Sequence, residues 1–126
     1  MFDINDILRG SSAFYIDNEG KDHPISKEEA IIKILEEQFT VKIEGMEYLY
    51  PESNSVHMFV APEGAVSFDV HTDLVDLKIL CINGTKSFEV DSRLHTLKEK
   101  EFVLVNKGIP HRAINNKASI ILSIEL

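Results

Sequence analysis

A histidine and a carboxylate two residues apart, His71-Thr72-Asp73, are the side chains of this sequence best suited to chemistry. On an extended chain, residues two apart project to the same side. An imidazole and a carboxylate so placed can take adjacent corners of one metal's coordination sphere, and a third ligand from elsewhere would complete a facial triad with positions open for substrate and oxygen. So short a motif says little alone, and its surroundings decide. In the run Val66 to Asp73, strand alternation puts Ser67, Asp69, His71 and Asp73 on one face and Val66, Phe68 and Val70 on the other. A polar row thus stands where a core row is usual. Downstream, Phe102-Val103-Leu104-Val105 leads through Asn106-Lys107-Gly108-Ile109-Pro110 to His111. A strand, a tight turn and a histidine opening the next strand are arranged to aim that histidine into a barrel.

Lys86 is the second feature of note. Alternation along Lys86-Ser87-Phe88-Glu89-Val90 places it on the face of Phe88 and Val90, and a lysine facing a core wants an anion. The bland alternative is a solvated residue just after an Asn83-Gly84-Thr85 hairpin turn. His57 lies on a strand expected beside the site, although a lone histidine is most often structural. Ser119 and Ser123 alternate with Ile120, Leu122 and Ile124 and are expected to line the cavity together with Ser67 and Asp69. Arg112 has the opposite strand orientation to His111 and is expected outside the barrel, while His23 and His95 fall in loop-like sequence.

The elements that must carry these residues are mostly strands. Ser26-Lys27-Glu28-Glu29 is a capping box, and Ala30, Ile31, Ile34 and Leu35 follow at helical spacing, which predicts one long helix after Pro24. Residues 2–8 read as a short amphipathic turn or helix, and Ala13 to Ile16 as a first strand closed by the Asp17-Asn18-Glu19-Gly20 turn. From residue 39 onward the pattern predicts short strands at 39–44, 47–50, 55–61, 66–71, 77–82, 86–90, 102–105, 111–114 and 118–125. The expected architecture is one mainly β domain over 1–126, with a strand and helix region at 1–38 and a β-barrel core at 39–126, the helix packed outside.

The chain has 126 residues, 44% of them hydrophobic, enough for one compact core. Its formal charge of -8 repels a phosphate backbone, so direct nucleic-acid binding is not expected. The single cysteine, Cys81, sits in the apolar run Leu77 to Ile82 and has no internal disulfide partner. It points to a reducing compartment. No signal-like segment or long apolar span is present, and a cytoplasmic protein without membrane association is expected.

The joint spacing of these motifs resembles a known family. The turn before His111, with Asn115 four residues after it, is similar to the second motif of the cupin superfamily. The stretch His71-Thr72-Asp73, the apolar strand, Gly84 and a basic residue fifteen positions after the histidine, Lys86, resemble the JmjC-like and ribosomal-oxygenase-like members. The resemblance covers roughly residues 40–126 and implies a double-stranded β-helix, the cupin jelly-roll barrel. It implies that His71, Asp73 and His111 hold Fe(II) and that Lys86 pairs with the distal carboxylate of 2-oxoglutarate as cosubstrate. Phe59 stands where the family often has a tyrosine that contacts the cosubstrate, Asn106 replaces the usual proline, and Asp76 matches a second acidic position frequent in the oxygenase-like sequences. The implied activity is hydroxylation of a C–H bond in a protein, peptide or small-molecule substrate, with succinate as coproduct. Two other readings stay open: a small metal-binding cupin working without 2-oxoglutarate as a dioxygenase, isomerase or lyase, and a non-catalytic cupin module. Barrels of this kind pair through edge strands, so a homodimer is a mild expectation.

Overall fold

A computed structural model of the protein describes residues 12–36, 55–64, 69–114 and 117–126. The expected segments at 2–8, 39–44 and 47–50 lie outside the described residues. Strands β1 (Ser12–Ile16) and β2 (Asp22–Ile25) form a hairpin and precede helix α1 (Lys27–Glu36). Then come β3 (Ser55–Ala61), β4 (Leu77–Gly84), β5 (Lys86–Val90), β6 (Arg93–Leu97), β7 (Phe102–Val105), β8 (His111–Ile114) and β9 (Ser119–Glu125). The capping box forms reciprocally: the Glu29 amide donates to Ser26 Oγ at 3.1 Å and the Ser26 amide to Glu29 Oε1 at 3.2 Å.

The strands make two sheets, ordered β2-β1-β3-β9-β4-β7 and β6-β5-β8. The first is antiparallel except for the parallel β1–β3 pair. Its central strands are buried on both faces, which is why Ile79 to Ile82 and Ile120 to Leu122 read as unbroken apolar runs. One face, with Val56, Met58, Leu80, Leu122 and Ile124, packs under Ala30 and Ile34 of α1. Ile31, expected on that helical face, is partly exposed at its margin. The other face carries Ile79, Cys81 and Ile121 toward Phe88, Leu97 and Ala113 of the second sheet. The cavity opens between these two inner faces. Among the described residues, a mainly β, two-sheet jelly roll with one helix outside is the architecture the sequence predicts.

The strand sequence departs from expectation at two places that matter for the site. Asn83-Gly84-Thr85 is a corner, since β4 belongs to one sheet and β5 to the other. Gly84 is required there: its φ is 72°, and a side-chain carbon would overlap the Ala118 carbonyl. The actual hairpin lies one strand later, at Asp91 and Ser92, whose φ values of 50° and 67° are those of a type I′ turn. Non-glycine residues disguise it, so β6 and its His95 look like loop, as do β2 and its His23. Among the described residues, no helix is long and apolar enough to cross a membrane.

Candidate metal centre

His111 opens β8, pairs with Val90 of β5 and is almost fully buried, at 2% exposure of its side chain. Its ring lies over Phe88 with centroids 5.9 Å apart and planes 19° apart. The turn before it is closed by the Ile109 amide donating to the Asn106 carbonyl at 3.1 Å, with Gly108 at a φ of 78°. The turn directs the Ile109 carbonyl back at the ring, where it accepts from His111 Nδ1 at 2.8 Å.

His71 faces His111 across an isolated antiparallel bridge in which each backbone amide donates to the other's carbonyl, at 3.0 and 2.9 Å. Its Nδ1 is 3.1 Å from the Asp69 carbonyl. A carbonyl only accepts, so in both rings Nδ1 carries the proton and Nε2 is left to point elsewhere. Both Nε2 atoms point to Asp73: His111 Nε2 lies 2.7 Å and His71 Nε2 3.8 Å from Asp73 Oδ2. The three ligand atoms lie within 4.8 Å of one another. At 2.7 Å, two lone-pair atoms require either a proton or a cation between them. Backbone carbonyls that fix ring orientation through Nδ1 are also what a metal-ligating histidine ordinarily has behind it. Two imidazoles and one carboxylate, with the Asp73 side open to solvent, are a donor set suited to a divalent transition metal.

The triad stands at the mouth of a cavity of about 260 Å³. Phe59, Ile79, Phe88 and Ile121 make its apolar walls, and His57, Ser123 and Glu125 add polar groups on the six-stranded sheet. Lys86 lies at the floor, only 1% exposed, with burial pushing its ammonium down to about 8. Cys81 is close by on the inner face; burial raises its thiol to about 11, and Sγ donates to the Asn83 carbonyl at 3.4 Å. It remains a neutral packing residue.

Of the residues singled out in the sequence, His71, Asp73, His111, Lys86, His57, Phe59 and Ser123 all line this cavity. Asp69, Asp76 and the fully buried Ser119 do not. The chain at residues 69 and 70 is irregular, and His71 makes only a bridge, so strand alternation does not operate there. Asp69 is exposed and contributes its carbonyl instead of its carboxylate. Asp76 accepts from the Lys107 amide at 2.8 Å, outside the cavity. Ser67 and Asn115 lie outside the described residues. Arg112 turns away from the cavity and pairs with Glu89 at 3.5 Å on the second sheet's outer face. Sequence reasoning missed Glu125 and Val75. Glu125 follows Ile121 and Ser123 in the same alternation, a signal that was available.

No known family's sequence profile matches this chain, and no curated protein matches it. Solved structures do. An RmlC-like cupin from Shewanella frigidimarina is 17% identical over 55% of this chain and 61% of its own, with a TM-score of 0.51. A cupin-2 domain protein from the same organism is 15% identical over 73% of this chain and 97% of its own, with a TM-score of 0.50. YcfD, a ribosomal oxygenase from Escherichia coli solved with cobalt and succinic acid, is 15% identical over 56% of this chain, with a TM-score of 0.52. The match spans 22% of that oxygenase and about three-fifths of the RmlC-like cupin. These likenesses establish the cupin fold.

Proposed function

We propose that this chain is an Fe(II)- and 2-oxoglutarate-dependent oxygenase that hydroxylates a C–H bond of a protein, peptide or small-molecule substrate. One observation carries the reading: two histidines with Nδ1 held by backbone carbonyls turn Nε2 toward Asp73 at the mouth of a cavity floored by buried Lys86. His71, Asp73 and His111 would hold the iron, which when bound supplies oxygen activation coupled to oxidative decarboxylation of the cosubstrate. The residues of the chain bind, orient and shield. The Lys86 ammonium, desolvated by its surroundings, pairs with the distal carboxylate of 2-oxoglutarate and fixes which way the molecule lies. Phe59, Phe88 and Ile121 keep the space between floor and mouth dry. His57, Ser123 and Glu125 offer polar contacts to what enters after the cosubstrate. The volume is slightly below the ~300–1,000 Å³ usual for ligand pockets, so it suits a small cosubstrate and the tip of a substrate whose body stays outside. The ribosomal oxygenase among the structural neighbours, solved with cobalt and succinic acid, supports the same reading.

The test is an anaerobic titration of 2-oxoglutarate into the Fe(II)-loaded protein, watching the visible charge-transfer band of a keto acid on iron. A saturating band is expected. Bound iron without a band would favour a metal cupin that works without this cosubstrate, and failure to take up any divalent metal would favour a binding module.

A further inference from the structure

We infer that Asp76 is a positioning residue for the metal centre, clamping the turn that aims His111 to the loop that bears Asp73. The inference rests on the metal-binding part of the function proposed above. Asp73 and Asp76 stand on a non-strand connection, so regular sheet pairing does not hold them. Two consecutive amides of the 106–110 turn reach across to this connection instead. The Lys107 amide donates to Asp76 Oδ1 at 2.8 Å, and the Gly108 amide donates to the Asp73 carbonyl at 3.0 Å. The Asp76 carbonyl in turn accepts from the Leu126 amide at 3.0 Å, tying the connection to the end of β9.

This small stitch lies next to the atoms that orient the ligands. Gly108 precedes Ile109, whose carbonyl holds His111 Nδ1, and the Asp73 carbonyl belongs to the residue whose carboxylate faces both Nε2 atoms. A shift of the turn relative to the connection therefore changes the His111–Asp73 geometry directly. The Asp76 carboxylate itself is exposed and does not line the cavity, so it touches neither metal nor substrate. Because the Lys107 amide can turn to water when its acceptor is lost, the fold should tolerate the change better than the metal site does. Removal of groups that hold metal ligands in place commonly lowers metal affinity ~10–100-fold.

The experiment is a titration of Co(II) into the purified chain and its variants, reading affinity by calorimetry and coordination by the visible spectrum. Amide exchange at Lys107 and Gly108 is followed by NMR in the metal-free protein. Asp76→Ala is expected to bind Co(II) ~10–100-fold more weakly, with an altered spectrum and faster exchange at both amides. Asp76→Asn keeps an acceptor oxygen without the charge and should stay close to wild type. Wild-type affinity and spectrum in Asp76→Ala would overturn the clamp, and Asp76→Asn as weak as Asp76→Ala would reassign the effect to charge. If Asp76→Ala does not fold, Asp76→Glu carries the test, since it keeps the charge but displaces the acceptor; an unchanged affinity there would equally overturn the clamp. A wild-type chain that binds no Co(II) would instead refute the proposed metal site itself.

Discussion

At the mouth of the cavity two of three polar side chains stand on irregular backbone, open to water, whereas at its floor a single lysine sits on a regular strand and is almost wholly enclosed. The mouth is oriented by short local hydrogen bonds: carbonyls two residues upstream hold both histidine rings, and solvent reaches His71 and Asp73. At the floor, sheet geometry turns Lys86 inward by alternation with Phe88. The two ends also differ in cost. Depression of Lys86 from 10.5 to about 8 corresponds to something on the order of 3 kcal/mol against the charged form. The sign follows from proton uptake. The unfolded chain holds this proton up to about 10.5 and the folded one only up to about 8, so the penalty is full below pH 8 and is relieved as pH rises from 8 to 10.5.

The contrast can be broken first at the mouth. Replacing His111 with alanine removes the one buried ligand and leaves Asp73 facing a void, so metal binding should fall by at least ~10³-fold in a Co(II) titration; retention within tenfold would disprove the triad. Lys86→Met separates the ends most cleanly. Metal affinity should be unchanged, 2-oxoglutarate affinity should drop ~10–100-fold as a charge-assisted contact is lost, and the metal-free protein should become more stable by about 1–3 kcal/mol at pH 7 in urea unfolding. Loss of metal binding in this variant would mean the ends are not independent. With the native lysine, 2-oxoglutarate affinity should hold up to pH 8 and then weaken up to ~10-fold per pH unit as the Lys86 ammonium of the ligand-free protein loses its proton. A flat profile from pH 7 to 9.5 would remove Lys86 from the binding step. The smallest effect is expected from Phe59→Tyr. The added hydroxyl should tighten 2-oxoglutarate by ~2–10-fold, the worth of one hydrogen bond, without altering metal affinity.

Much of this arrangement is legible in the chain itself. The reciprocal bonds of Ser26 and Glu29 are those a capping box predicts, and the inward row of Lys86, Phe88 and Val90 follows from period-two alternation. Strand β6 escapes because its signals are hidden. The Asp91-Ser92 turn adopts left-handed dihedrals without a glycine, and β6, Arg93-Leu94-His95-Thr96-Leu97, is exposed along most of its length. Asp76 is visible as an acidic residue near the ligands, yet its partner is the amide of Lys107, 31 residues away, and no local pattern encodes that bond.

His71 and Asp73 mark the clearest division between chain and fold. Their types, their spacing and the Gly108-Ile109-Pro110-His111 turn are properties of the sequence, and they suffice to nominate a metal site and a lysine that wants an anion. Period-two alternation, however, is not what joins His71 to Asp73, since the chain there is not a strand. Their convergence comes from the backbone bridge to His111, the carbonyls of Asp69 and Ile109, and the bonds from the 107–108 amides. Local sequence determines side-chain chemistry and repeat period because both are properties of neighbours along the chain. Which distant amide meets which carbonyl depends on how two sheets close over one cavity, and only the tertiary structure decides that.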